Sequence, residues 1–137
     1  MEDPMAVISP RDQGKLDALA DISRAAQTIY GLTEQFAAAR SGEDSIAQQI
    51  KRRYGRFKRN LSNAGFDQIA QLAGGMEMAA GRRGTQRNKT RILREGMGSI
   101  RHQLDMEERV IRKEGAQAAN EKKARKEASK KAAGEQP

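Results

Sequence analysis

The sequence contains no cysteine and no tryptophan, a single histidine, and only 4% aromatic residues among its 137 positions. Without cysteine the chain has neither disulfide bonds nor thiolate ligands for a metal ion. His102 is the one side chain whose ordinary pKa lies near neutrality, which leaves little for acid–base chemistry. These absences argue against an enzyme, so we expect no catalytic residue, no metal site and no cofactor.

Large apolar residues are scarce as well. Leu, Ile, Val and Phe together number 21, and alanine alone accounts for another 21. A chain of this length and composition supports one small domain with a thin core. No run of about 18 apolar residues exists, which excludes a transmembrane helix. The segment Met1–Pro10 has neither the basic start nor the apolar stretch of a signal peptide, so we expect a cytoplasmic protein, or one inside a virion or nucleoprotein particle.

Positive charge is in excess but unevenly placed. The net charge is +8. Residues 1–50 carry net −4, residues 51–101 carry net +10, and residues 102–137 carry net +2. Such asymmetry favours a polyanionic partner, most often nucleic acid or an anionic membrane surface. The alternative is that a small alanine-rich helical protein uses this charge for solubility.

Apolar residues recur at helical spacing in four segments, and no segment alternates as a strand does. Ser9 and Pro10 fit the N-cap and the first position of a helix that ends at Ser41–Gly42. A second helix begins at Asp44 or Ser45. The sequence therefore predicts an all-α protein, a small bundle of three to four helices over residues 10–115, after a flexible N-terminus of residues 1–9.

The C-terminal segment is different in composition. Residues 116–137 are rich in Ala, Lys and Glu, with no large apolar side chain. Acidic residues four positions before basic ones, such as Glu121 and Arg125, support a helix by about 0.2–0.5 kcal/mol per pair. We predict a long, charged, frayed helical extension as far as about residue 130, followed by disorder, with a disordered tail as the alternative.

The strongest local signal is a basic run at residues 51–59, in which six of nine side chains are cationic and none is acidic. On a helix, the apolar positions 50, 54, 57 and 61 lie within about 60° of one another. Tyr54 and Phe57 are therefore predicted to lie in the core rather than to stack on bases. The exposed remainder fits phosphate contacts along a nucleic-acid backbone. The candidate residues are Lys51, Arg52, Arg53, Arg56, Lys58 and Arg59.

A second basic cluster spans a glycine-flanked loop and the start of the fourth helix, for which Thr85 is the expected N-cap. The loop, residues 81–84, lacks the Gly-Lys-Ser/Thr of a nucleotide-binding loop, and no strand precedes it. Cations at a helix N-terminus oppose the helix dipole, and such a local cost is sometimes a sign of function. A flexible basic loop is the alternative. The candidate residues are Arg82, Arg83, Arg87, Lys89, Arg91 and Arg94.

Glycine and methionine occur together at two places. Gly74–Gly75 falls inside the third helical segment, where it ends the helix early, bends it or lets another backbone approach. Gly96-Met97-Gly98 lies in the fourth. Such patches are either core filler or a protein–protein interface. Because the core is lean, we expect an oligomer or a monomer of marginal stability without its partner.

Two families share the general style of this chain. In length, helical composition and basic charge it is similar to the helical small subunits of CRISPR effector complexes. The Gly–basic–Ile–basic rhythm of residues 75–108 resembles the internal proteins of short-tailed phages. Neither likeness carries any residue across. We predict a non-enzymatic basic subunit of a larger assembly that binds DNA or RNA through backbone phosphates, with a scaffolding protein that packs on partner proteins as the alternative.

Overall fold

The computed structural model describes residues 8–134, with the side chains of 118, 119, 122 and 129–134 excepted. Over this range the chain forms an all-helical bundle without a strand. The helices are α1 (Pro10–Ala38), α2 (Glu43–Asn63), α3 (Asp67–Gly81) and α4 (Gln86–Gly134). The all-α prediction is thus confirmed. The flexible N-terminus was predicted for residues 1–9, of which residues 1–7 lie outside the described range. Residues 135–137 of the C-terminal segment also lie outside it.

The helix starts follow local chemistry. Ser9 caps α1, since its hydroxyl accepts a hydrogen bond from the amide of Asp12 at 3.1 Å, and Pro10 occupies the first turn. The Thr85 hydroxyl accepts from the amide of Asn88 at 3.2 Å, which confirms it as the cap of α4. Gly42, before α2, has a φ of 72°, a conformation that other residues rarely adopt. Caps and turns thus place the boundaries close to those predicted.

Each helix packs on its neighbours in the chain, and α4 also packs on α1. The neighbours run antiparallel. Arg101 of α4 contacts Gln27 of α1, and Arg94 contacts Glu34. Residue numbers therefore increase along α1 in the direction in which they decrease along α4. The four helices therefore form a closed ring in which α2 lies diagonally opposite α4. The end of α1, the start of α2, the end of α3 and the start of α4 meet at one end of the bundle.

The core is a single apolar stripe from each helix. Tyr54 and Phe57 are 0% and 1% exposed, which confirms that both belong to the core. Their rings meet edge to face at 6.3 Å. Because the stripe on α2 faces inward, the opposite surface of that helix is fixed toward solvent. The largest fully buried side chains are Tyr54, Phe57, Ile29, Ile50, Leu61, Leu93, Met97, Ile100 and Thr33.

The helix α3 does not end at Gly74–Gly75 but continues to Gly81. A close approach does occur at Gly74, but by the side chain of Lys58 rather than by another backbone. On the side of α3 that faces α4, the Met76 side chain occupies the space that a Cβ atom at Gly96 would need. The glycines therefore let α3 lie close to both neighbours. None of the described helices is long and apolar enough to cross a membrane.

Candidate functional site

The solvent side of α2 is formed by the six basic residues between positions 51 and 59, which we call the α2 cationic surface. At 100° per residue, Arg52 and Arg59 point directly away from the buried stripe. Both are exposed, as are Lys51, Arg53 and Arg56, whereas Lys58 is half-buried. The structure therefore brings all six predicted residues to one convex face of the bundle.

The lysines of this surface lie against α3. A Cβ atom on Gly81 would lie 3.2 Å from both Cδ and Cε of Lys51, and one on Gly74 would lie 3.2 Å from Cδ of Lys58. Each lysine side chain thus rests on a glycine, and the Lys51 ammonium nitrogen lies 3.3 Å from the same Cβ position on Gly81. Two glycines seven residues apart on α3 receive two lysines seven residues apart on α2, a register that the sequence did not reveal.

The arginines Arg53 and Arg56 lie on the other flank of α2, the side of α1. A cavity of about 430 Å³ between the two helices is lined by Asp21 and Asn60, among others. Asp21 forms an ion pair with Arg24 of its own helix. No acidic side chain from α1 is therefore engaged by the cations of α2.

Charge pairing separates α2 from the rest of the molecule. Among the described residues, no member of the α2 cationic surface forms an ion pair or a side-chain hydrogen bond. Glu77 of α3 lies against Gly55 of this surface but forms no ion pair with its cations. Six like charges along about 12 Å of helix therefore repel one another, since each residue adds 1.5 Å. An anionic counter-surface would relieve this repulsion.

Part of the second predicted cluster adjoins this surface. Arg82 and Arg83 follow Gly81 directly, are exposed, and lie in the turn before α4. Because Lys51 rests on Gly81, the loop cations continue the α2 cationic surface at the end of the bundle. The two clusters, separate in sequence, meet at this point.

The other members of that cluster lie elsewhere. Arg87 and Arg91 are exposed and line a cavity of about 710 Å³ beside α1, diagonally opposite α2. Arg94 makes a two-pronged contact with Glu34, with both nitrogen–oxygen distances at 2.7 Å. This hydrogen bonding lowers the pKa of the Glu34 carboxyl below its usual value. Lys89 lies 5.8 Å from the centre of the Phe36 ring. These four residues do not join the face that α2 presents.

A further contact at the start of α4 ties two helices together. The Gln86 amide donates hydrogen bonds to the carbonyl oxygens of Phe36 and Ala39, at 2.5 and 2.8 Å. These carbonyls lie at the end of α1, where helical hydrogen bonding stops. Sequence reasoning missed this role, because nothing local marks Gln86 as the partner of residues some fifty positions earlier.

Two buried polar atoms have no partner in the described part of the chain, the hydroxyls of Tyr54 and Thr90. Burial raises the pKa of Tyr54 far above its usual value. The ring lies inside the bundle, so this hydroxyl does not reach the α2 cationic surface. It is a cost to the fold rather than part of a site.

Within the described residues, no three His, Asp or Glu side chains are grouped as metal ligands. His102 is exposed. No protein-family model, no curated protein and no solved structure matches this chain. The arrangement of side chains is therefore the basis on which a function is argued.

Proposed function

We propose that the protein binds nucleic acid through backbone phosphates, as a non-enzymatic subunit of a larger assembly. One observation carries this proposal: among the described residues, none of the six cations of the α2 cationic surface has an ion-pair partner, and the run itself contains no acidic residue. Arginine binds phosphate in a two-pronged geometry that lysine lacks, and four of the six are arginines. Contacts of this kind fix position but carry no sequence information, so binding is weakly sequence-selective.

The salt dependence of binding tests this proposal. Affinity for nucleic acid falls with salt by a log–log slope of about −0.9 per phosphate neutralised on duplex DNA and about −0.7 on single strands. Replacing Arg52, Arg56 and Arg59 with Gln is expected to reduce the slope by about two to three. The fold should persist, because these three residues point away from the core.

A matched control removes the same charge from elsewhere. Arg24, Arg109 and Arg112 are exposed and each forms an ion pair with an acid on its own helix. Changing these three to Gln is expected to leave the slope unchanged. A separate pair, Arg82→Gln with Arg83→Gln, measures the loop cations that adjoin the α2 cationic surface. If the wild-type protein shows no salt-sensitive binding to DNA or RNA at low salt, the proposal fails.

The alternative function, a scaffold that packs on partner proteins, has its own observation. Ile92, Met106 and Val110 on α4 are 41%, 46% and 43% exposed. At 100° per residue they lie within about 40° of one another, on one outer face of the helix. Light scattering after size exclusion, with and without nucleic acid, separates the two functions. A defined oligomer that ignores nucleic acid supports the scaffold.

The last part of α4 belongs to this proposal as a charged extension. The side chains described between residues 116 and 128 are all exposed, and the last buried residue is Gly115, near Ile8. We propose that residues 116–134 stand clear of the bundle and present charge to the assembly. Deleting residues 116–137 should leave the melting temperature nearly unchanged, whereas a fall of several degrees would mean that this segment docks on the bundle.

A further inference from the structure

We infer that the partner is double-stranded DNA, with α2 contacting phosphates of both strands across one groove. This inference rests on the proposed function and names the substrate class of the same site. It follows from the directions of the cations around α2, from the positions of the aromatic rings, and from the width of the face that α2 presents.

The cations leave α2 in two diverging rows. Lys51 and Lys58 form one row on the side of α3, and Arg53 and Arg56 form the other on the side of α1. Arg52 and Arg59 lie between the rows. A single line of phosphates can meet one row and the residues between, but leaves the other row unmatched. Two rows with a helix between them match two strands on either side of a groove.

The dimensions agree with this arrangement. A helix with its side chains is about 10–12 Å wide, and the major groove of B-form DNA is about 12 Å wide. Gly74 and Gly81 carry no side chain, so at these two positions α3 adds nothing beside the lysines. Between them, the Glu77 side chain of α3 reaches Gly55 of α2.

The aromatic side chains argue against a single strand. Proteins that bind single strands stack bases on exposed aromatic rings, and this stacking contributes to their affinity. The chain has five aromatic rings in all, from two tyrosines and three phenylalanines, and no tryptophan. Four are buried, and the fifth, Tyr30, is half-buried with the Arg101 guanidinium 5.6 Å from the ring centre. The buried rings are Phe36, Tyr54, Phe57 and Phe66.

Duplex RNA fits less well than duplex DNA. The major groove of A-form RNA is deep and narrow and does not admit a helix, while its minor groove is wide and shallow. A convex helix with cations on both flanks would meet one strand at a time on such a surface. The geometry of α2 therefore favours the B form.

The test compares three probes of one mixed sequence, namely a DNA duplex, its single strand and an RNA duplex, by fluorescence anisotropy with the full-length protein. The DNA duplex is expected to bind more tightly than each of the other probes, by about tenfold or more. The reason is that a probe that leaves one row of two cations unmatched loses two phosphate contacts at low salt. Equal or tighter binding of the single strand or of RNA overturns the inference and leaves the proposed function standing. Absence of binding to all three probes overturns both.

Variants of each row provide an independent readout. Lys51→Gln with Lys58→Gln removes one row, and Arg53→Gln with Arg56→Gln removes the other. Each pair is expected to reduce the salt slope on duplex DNA by about two, while the control pair Arg24→Gln with Arg109→Gln changes nothing. Melting curves confirm that each variant is folded. If one row alone affects the slope, contact is with a single strand and the inference is wrong.

Discussion

The four arginines of α2 and the seven of α4 are all exposed but differ in what surrounds them. On α4, Arg109 and Arg112 pair with acids one turn earlier, at 3.1 Å each. Arg94 pairs with Glu34 across the bundle, and Arg101 lies over the Tyr30 ring. The α2 cationic surface has no such contacts among the described residues. Four of the seven arginines of α4 thus contact other side chains of the protein, whereas none of the four on α2 does so among the described residues.

This difference separates structural from binding roles for the same residue types. An exposed ion pair contributes little to stability, and breaking one leaves the fold intact. An unpaired run of cations contributes nothing to folding and opposes it through repulsion. Under the proposed function, the α2 cationic surface serves binding rather than stability. The following substitutions test that division, from the largest expected effect to the smallest.

The largest effect on stability is expected when a buried side chain of α2 is removed and compared with an exposed one on the same helix. Phe57→Ala removes a ring that is 1% exposed, and should lower the free energy of unfolding by about 3–5 kcal/mol. The neighbouring Arg56→Ala removes an exposed, unpaired cation and should change that free energy by less than about 0.5 kcal/mol. Urea denaturation measures both. A large loss of stability in the arginine variant would mean that the outer face of α2 has a structural role.

The next largest effect on stability is expected from removal of the Tyr54 hydroxyl. Because it is buried without a partner, Tyr54→Phe should raise the free energy of unfolding by about 1 kcal/mol. Burial keeps the pKa of this phenol above its ordinary value of 10.0 in the folded protein. Wild-type stability is therefore fully present below pH 10 and falls above it, because only the unfolded chain readily releases the proton.

The Tyr54→Phe variant should lose that part of the alkaline decline. Urea denaturation at a series of pH values, for the wild type and the variant, measures the difference. If the variant is less stable than the wild type at neutral pH, the hydroxyl has a partner inside the bundle, such as a bound water molecule.

Much of the fold could be predicted from local sequence, since caps, helical spacing and the inward direction of Tyr54 and Phe57 depend on neighbours in the chain. The seam between α2 and α3 could not, because it depends on a register between Lys51 and Gly81. Nor could the pairing of Arg94, since Glu34 lies sixty residues away. Sequence therefore identified the basic residues and the shared surface of those on α2, but not how the second cluster divides between two sides of the bundle.

Two glycines of α4 sharpen the contrast between its packed and open sides. At Gly98 no atom lies within 4 Å of an added Cβ, so Gly98→Ala should gain about 0.8–1 kcal/mol from helix propensity alone. At Gly96 the added atom meets the flexible end of Met76, so the same change should gain less or lose stability. Thermal melting of both variants measures the difference. Equal gains would show that Met76 moves aside at no cost.

The smallest effect is expected at the pair that most distinguishes α4 from α2. Glu34→Gln removes the carboxylate that engages Arg94, and since both side chains are substantially exposed, the loss of stability should be the least of those above. Because Arg94 lowers the pKa of Glu34 below its ordinary 4.5, the pair stabilises the wild type above that pH, and this stabilisation is lost as the pH falls through the carboxyl range. The variant should lack that acidic decline.

The same variant also leaves Arg94 unpaired beside Arg87 and Arg91, as the cations of α2 are. If pairing is what keeps α4 from binding phosphate, the salt slope on duplex DNA should steepen in Glu34→Gln; an unchanged slope would mean that position on the bundle, rather than pairing, distinguishes the two helices.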